Sequence, residues 1–144
     1  MKKFFNISLM IILVAGVLAV SANAQTSNAQ RVIANIPFAF SAGKTTLPAG
    51  RYTIAVLNPT SDRKVLQIRS LNGRSSVMVL TTAGSANVSE NAKLVFERYG
   101  DRYVFAQAQM AGDETSLAAV RTKEHGDKQL AKAGKKSIVV IVAG

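Results

Sequence analysis

His125 is the only histidine in the chain, and Glu124 and Asp127 flank it. An imidazole oriented by a carboxylate is the proton-transfer half of a nucleophilic hydrolase. Ser116, Ser137 or Asp127 brought beside His125 by folding would complete a small hydrolase site. No serine lies in a nucleophile-elbow sequence, however, and a solvated histidine in a charged segment accounts for the same residues. Zinc takes three or four nitrogen or sulfur ligands, and the chain offers one histidine and no cysteine. No metal, no cofactor and no catalytic residue set is therefore expected.

Ser41-Ala42-Gly43-Lys44-Thr45 ends like a phosphate-binding loop. Phe38 stands where that motif needs its first glycine, and Pro48 follows where it needs a helix. The eight carboxylates are scattered. Glycosidase chemistry needs two of them facing across a cleft. Only Glu97 falls inside an expected strand, turned away from the aromatic face, and it reads as a cross-strand or local partner for nearby arginines. Asn87-Val88-Ser89 has the short pattern of a glycosylation acceptor.

The densest basic stretch holds Arg121, Lys123, Lys128, Lys132, Lys135 and Lys136, with Glu124 and Asp127 interleaved. One reading is an adhesive patch for an anionic partner; the other is a solvated helix face. On a helix, Lys128 and Lys132 share a side, and Glu124 sits one turn before Lys128, a favourable spacing.

The compartment follows from the N-terminus. Lys2 and Lys3 precede an apolar run from Ile7 to Val20, broken only by Ser8 and Gly16, and Ala22-Asn23-Ala24 supplies a small-x-small cleavage site. Residues 1–24 therefore read as a signal peptide, with a mature chain from Gln25 that is periplasmic or secreted. An uncleaved anchor is the alternative. The run is shorter than the roughly 20 apolar residues of a spanning helix, so no membrane span is expected after cleavage. Removing Lys2 and Lys3 takes the formal charge from +10 to +8. For an exported protein that balance favours an anionic envelope component or another exported protein over nucleic acid. Without cysteine there are no disulfides and no thiol chemistry.

The elements that would position these residues are mostly strands. Residues 25–30 read as a flexible terminus, and 31–144 as one β-rich domain. Val32, Ala34, Ile36, Phe38 and Phe40 alternate on one face, with Pro37 marking an edge or a bulge. Residues 43–50 read as a connection ending in a tight turn at Leu47-Pro48-Ala49-Gly50, where glycine takes a positive φ. Tyr52, Ile54 and Val56 mark the next strand. Asn72-Gly73 predicts a two-residue hairpin loop that sets Ile68 opposite Val77 and Leu66 opposite Val79. Residues 82–89 read as a polar loop. Gly100-Asp101 predicts a second hairpin with Leu94, Phe96, Tyr103 and Phe105 on one face, and Arg98 over the Tyr103 ring. A helical excursion is expected at about 113–133, followed by a buried strand over Ser137 to Val142.

Two blocks, Ile36-Pro37-Phe38-Ala39-Phe40 with Leu47-Pro48-Ala49-Gly50-Arg51-Tyr52-Thr53-Ile54, and Lys93-Leu94-Val95-Phe96-Glu97-Arg98-Tyr99-Gly100-Asp101-Arg102-Tyr103, resemble a family of small exported bacterial proteins of unknown function. The resemblance spans roughly residues 31 to 109. It implies an exported β-domain and carries over no site.

The expected fold is all-β, a small antiparallel barrel or sandwich of six to seven strands with a short helical segment before the last one. The expected role is a non-enzymatic envelope binding or structural module. The alternatives are the His125 hydrolase and a carrier of a small apolar ligand inside a barrel.

Overall fold

The computed structural model describes residues 30–121 and 135–143, and every helix or strand among them is a strand. The ten are β1 (Arg31–Ile36), β2 (Phe40–Ala42), β3 (Thr45–Leu47), β4 (Gly50–Val56), β5 (Val65–Ser70), β6 (Ser76–Ser85), β7 (Ala92–Tyr99), β8 (Arg102–Gln109), β9 (Thr115–Ala119) and β10 (Lys136–Ala143). Hydrogen bonding orders them β1-β4-β5-β6-β9-β8, continues from β8 into the β2-β3 hairpin, and branches from β8 through β7 to β10. β8 has three neighbours because β9 meets it at Gln107–Gln109 and β2 only at Val104. That Ser41–Val104 bridge is parallel; the other pairings are antiparallel. β1 and β10 lie against each other without a ladder, so the sheet curls without closing.

The curl follows from alternation. β1 buries Val32, Ala34 and Ile36 and exposes Arg31, Ile33 and Asn35. β4, β5 and β7 contribute Tyr52, Ile54, Val56, Leu66, Ile68, Leu94 and Phe96 to the same apolar cluster. A sheet with one apolar face must cover it, and this sheet wraps that face around a single core. Phe96 lies at the meeting point. Its ring is met edge-on by Phe38, Phe40 and Phe105 at centroid distances of 5.1, 5.3 and 5.7 Å. Phe40 meets Tyr52 in the same way at 5.3 Å. Edge-to-face contacts set the positive rim of one ring against the negative face of the next, each worth about 0.5–1.5 kcal/mol beyond burial.

Pro37 behaves as its missing N–H dictates. β1 ends one residue before it and pairs only with β4, and Phe40 then opens β2 on a different neighbour. The residue is a strand end on an edge strand.

The hairpin register is the expected one: Ile68 faces Val77, Leu66 faces Val79, Arg69 faces Ser76 and Gln67 faces Met78. The loop is wider than a two-residue turn. Ser70 N–H donates to Ser75 O at 2.8 Å, leaving residues 71–74 as the connection. Gly73 takes φ 73° and its N–H donates to Ser70 O. Asn72 Oδ1 accepts from the Ser70 hydroxyl at 2.6 Å and from Arg74 N–H at 2.9 Å. Both loops are centred between residues 72 and 73, so the strand pairing is the same. In the second hairpin Arg98 faces Tyr103 and its guanidinium lies 5.5 Å from the ring centre.

Several expectations need correction. There are ten strands rather than six or seven, and one pairing is parallel. Within residues 43–50 lies β3, which joins β2 through a Gly43-Lys44 turn with Gly43 at φ 59°. Gly50 is not among the glycines of positive φ; it begins β4. Residues 82–85 extend β6 rather than forming a loop, because β9 pairs with them. Thr115–Ala119 is strand and not helix. β6 and β8 hydrogen-bond to its two edges and Leu117 enters the core, so pairing overrides local propensity. Gly84 permits the approach: a Cβ there would stand 3.1 Å from Ser116 Oγ. The remainder of the expected helical segment, 122–134, lies outside the described residues. The last strand is less buried than its β-branched run suggested. Val139 and Ile141 pack on the core, whereas Ile138, Val140 and Val142 are exposed.

Phe96→Ala should lower the unfolding free energy by about 3–5 kcal/mol, the range for deleting a fully buried ring. Met78→Ala, on the exposed side of β6, should change it by less than about 0.5 kcal/mol. Urea unfolding checks both, and equal small effects would show that Phe96 is not the packing centre.

Candidate functional site

Leu94 and Phe96 point into the core, so Glu97 and Tyr99 turn to the opposite face of β7. Both are nevertheless buried there; the Glu97 side chain is 11% exposed. Lys136 stands opposite Tyr99 in the β7–β10 register, and Arg121 lies two residues past the end of β9. Three donors converge on the one carboxylate. Lys136 Nζ donates to Glu97 Oε1 at 2.8 Å, the Tyr99 hydroxyl donates to Oε2 at 2.8 Å, and Arg121 Nη2 donates to the same Oε2.

Burial works to raise the Glu97 pKa, and the hydrogen bonds from Lys136, Arg121 and Tyr99 outweigh it, bringing the group down to about 2. Arg121 and Lys136 are pushed up: Arg121 against the effect of its own burial, Lys136 chiefly by its hydrogen bond to Glu97. A carboxylate held ionised by two cations and a phenol has no proton to give at neutral pH. Its chemistry here is attachment. It binds residues on both sides of the 122–135 connection to the wall of the sheet.

A second tie lies across the fold. Asp113 accepts from Thr115 N–H at 2.8 Å through Oδ1 and from Gln30 Nε2 at 3.2 Å through Oδ2. Gln109 Nε2 donates to Asn87 O at 2.6 Å and to Asp113 O at 2.9 Å, which joins the loop after β6 to the loop before β9. Burial raises the Asp113 pKa, but the hydrogen bonds from Thr115 and Gln30 and the charge of Lys64 leave it lowered.

Of the six basic residues singled out in the C-terminal stretch, Arg121 and Lys136 meet on Glu97 and Lys135 is exposed beside Lys136. Lys123, Lys128 and Lys132 lie outside the described residues, as do His125, Glu124 and Asp127. Ser116 is buried in β9, and Ser137 is exposed on β10 opposite Arg98. The segment resembling a phosphate loop spans the β2-β3 hairpin, with Gly43 and Lys44 exposed at its turn and Ala42 buried. No helix among the described residues is long and apolar enough to cross a membrane.

Glu97 was legible as a partner for arginine, but its arginine is 24 positions away. The neighbouring Arg98 instead donates from Nε to Gly100 O at 2.8 Å. Tyr99 was missed. Its signal was the spacing: Glu97 and Tyr99 are two apart on a strand and must share a face.

Because the folded pKa of Glu97 is depressed from 4.5 to about 2, its contribution to stability is complete above pH 4.5 and lost as pH falls toward 2. Glu97→Gln should cost about 1–3 kcal/mol at neutral pH, the range for stranding partners of a buried acceptor. It should also flatten the stability profile between those pH values. Denaturant melts across that window check this; a variant profile as steep as the parent's would place the acid sensitivity elsewhere.

No protein-family model matches this chain, and no match is found among the curated proteins or the solved structures, so no relative assigns a role to Glu97, Arg121 or Lys136.

Proposed function

We propose that this chain is an exported, non-enzymatic module that attaches to an anionic component of the cell envelope. The observation that carries the reading is the distribution of charge along the folded chain. Between Arg31 and Ser85 there are seven bases (Arg31, Lys44, Arg51, Arg63, Lys64, Arg69, Arg74) against one acid, Asp62. Between Ala86 and Arg121 there are four bases against five acids. The described ion pairs all involve Glu97, and of the bases in the first half only Lys64 is felt by an acid of the second, Asp113. A one-signed region of this kind attracts polyanions and repels cations at a distance.

The signal peptide supplies the destination in this reading. The resemblance of the two sequence blocks to small exported bacterial proteins agrees with it. The interlocked rings of Phe40, Tyr52, Phe96 and Phe105 favour attachment at the surface over carriage of a ligand inside. Of the sequence candidates among the described residues, Lys135 is exposed and adds to the attraction, whereas Arg121 and Lys136 already hold Glu97.

Protein purified from the exported fraction should co-sediment with isolated envelope material at low salt and be released as ionic strength rises, because screening shortens the reach of exposed charge. His125→Ala should bind as the parent does. Absence of binding at any salt, or an activity abolished by His125→Ala, would overturn the reading and favour the hydrolase.

A further inference from the structure

We infer that the outer face of β1-β4-β5-β6 is a docking surface for an anionic phospholipid layer. The inference rests on the envelope-binding reading above and names its partner. The strand registers assemble the face row by row. Asn35 lies beside Arg51, and Ile33, Thr53, Arg69 and Ser76 form the next row. Arg31, Ala55, Gln67 and Met78 form the third. The fourth is apolar. Leu57 N–H donates to Val65 O, Val65 faces Leu80, and Val120 N–H donates to Leu80 O, which sets Leu57, Val65, Leu80 and Val120 side by side.

Two features of this face select the partner. Among the described residues its cations make no ion pair: β1, β4, β5 and β6 contain no Asp or Glu, and Arg31, Arg51 and Arg69 are all exposed. Arg69 lies over the Gly73 turn, with Nη2 3.7 Å from where a Gly73 Cβ would stand, and Arg74 follows that turn. A guanidinium presents a planar fork that matches phosphate oxygens. The second feature is exposed aliphatic area within the same face. Leu57, Met78, Leu80 and Val120 are 43–63% exposed and adjoin one another. A contiguous apolar patch beside a cationic one fits an interface with apolar chains beneath anionic headgroups. A sugar polymer would call for flat rings to stack on, and none of the outward residues of these rows is aromatic.

The arrangement thus places arginines at headgroup phosphates while the Leu57–Val120 row and Met78 enter the boundary of the acyl region. The test uses vesicles of mixed phosphatidylglycerol and phosphatidylcholine against phosphatidylcholine alone, with protein purified from the exported fraction. Binding to the mixed vesicles should weaken with salt and be absent on neutral ones. Combined Arg31→Gln, Arg51→Gln and Arg69→Gln should reduce affinity by about a hundredfold, at roughly fivefold per cation near a charged surface. Combined Lys44→Gln, Lys93→Gln and Arg102→Gln removes the same charge elsewhere and should change affinity far less. The chain has no tryptophan, so a Met78→Trp variant gives a single reporter whose emission should shift to the blue on the anionic vesicles.

Equal losses from the two triple variants, or no blue shift, would overturn the assignment of this face. Failure to bind vesicles with envelope binding intact would overturn the lipid and leave the wider reading standing. Failure of both would remove the two together.

Discussion

Everything in this fold depends on Phe96 having three rings around it. Phe105 reaches it from the hairpin partner β8, whereas Phe38 and Phe40 come from the crossing after Pro37 and the start of β2, more than fifty residues earlier in the chain. The attachment of β2 is slight: it is three residues long, pairs with the equally short β3 and joins β8 through one bridge. Burial of the rings holds what so few backbone hydrogen bonds could not. The result is a sheet that branches at β8 and still encloses one core.

Where local chemistry decided structure, the sequence was readable. Alternation located β1, β4, β5, β7 and β8; the Asn72-Gly73 signal fixed the β5–β6 register, and Gly100-Asp101 fixed that of β7–β8 as far as Phe96, beyond which a bulge shifts it. What escaped was decided at a distance. Nothing within Thr115–Ala119 demands a strand; β6 and β8 do so by leaving open hydrogen-bonding edges that this segment satisfies. Residues 82–85 look like a polar loop until β9 is placed beside them. The same holds for the candidate site. Glu97 could be marked from its strand, yet its partners Arg121 and Lys136 belong to elements whose position only the tertiary fold determines.

Charge is used in two opposite ways in this molecule. Around Glu97 it is concentrated and paired, two cations on one carboxylate, and serves to fasten the C-terminal strand to the wall. On the β1-β4-β5-β6 face it is unbalanced and open to solvent. A buried carboxylate is costly to hold and gains only from good geometry with its partners, whereas an exposed one-signed face costs little and acts at range.

Fastening Arg121 and Lys136 to one carboxylate has a consequence for how such a chain can diversify. The fourteen residues 122–135 span two points whose positions no longer depend on them. For a connection between fixed ends the closure cost grows only slowly with length, about 0.6 kcal/mol for each doubling. This stretch is therefore the natural place for insertions and deletions to accumulate among descendants of the same gene, while Glu97 keeps the frame on either side unchanged.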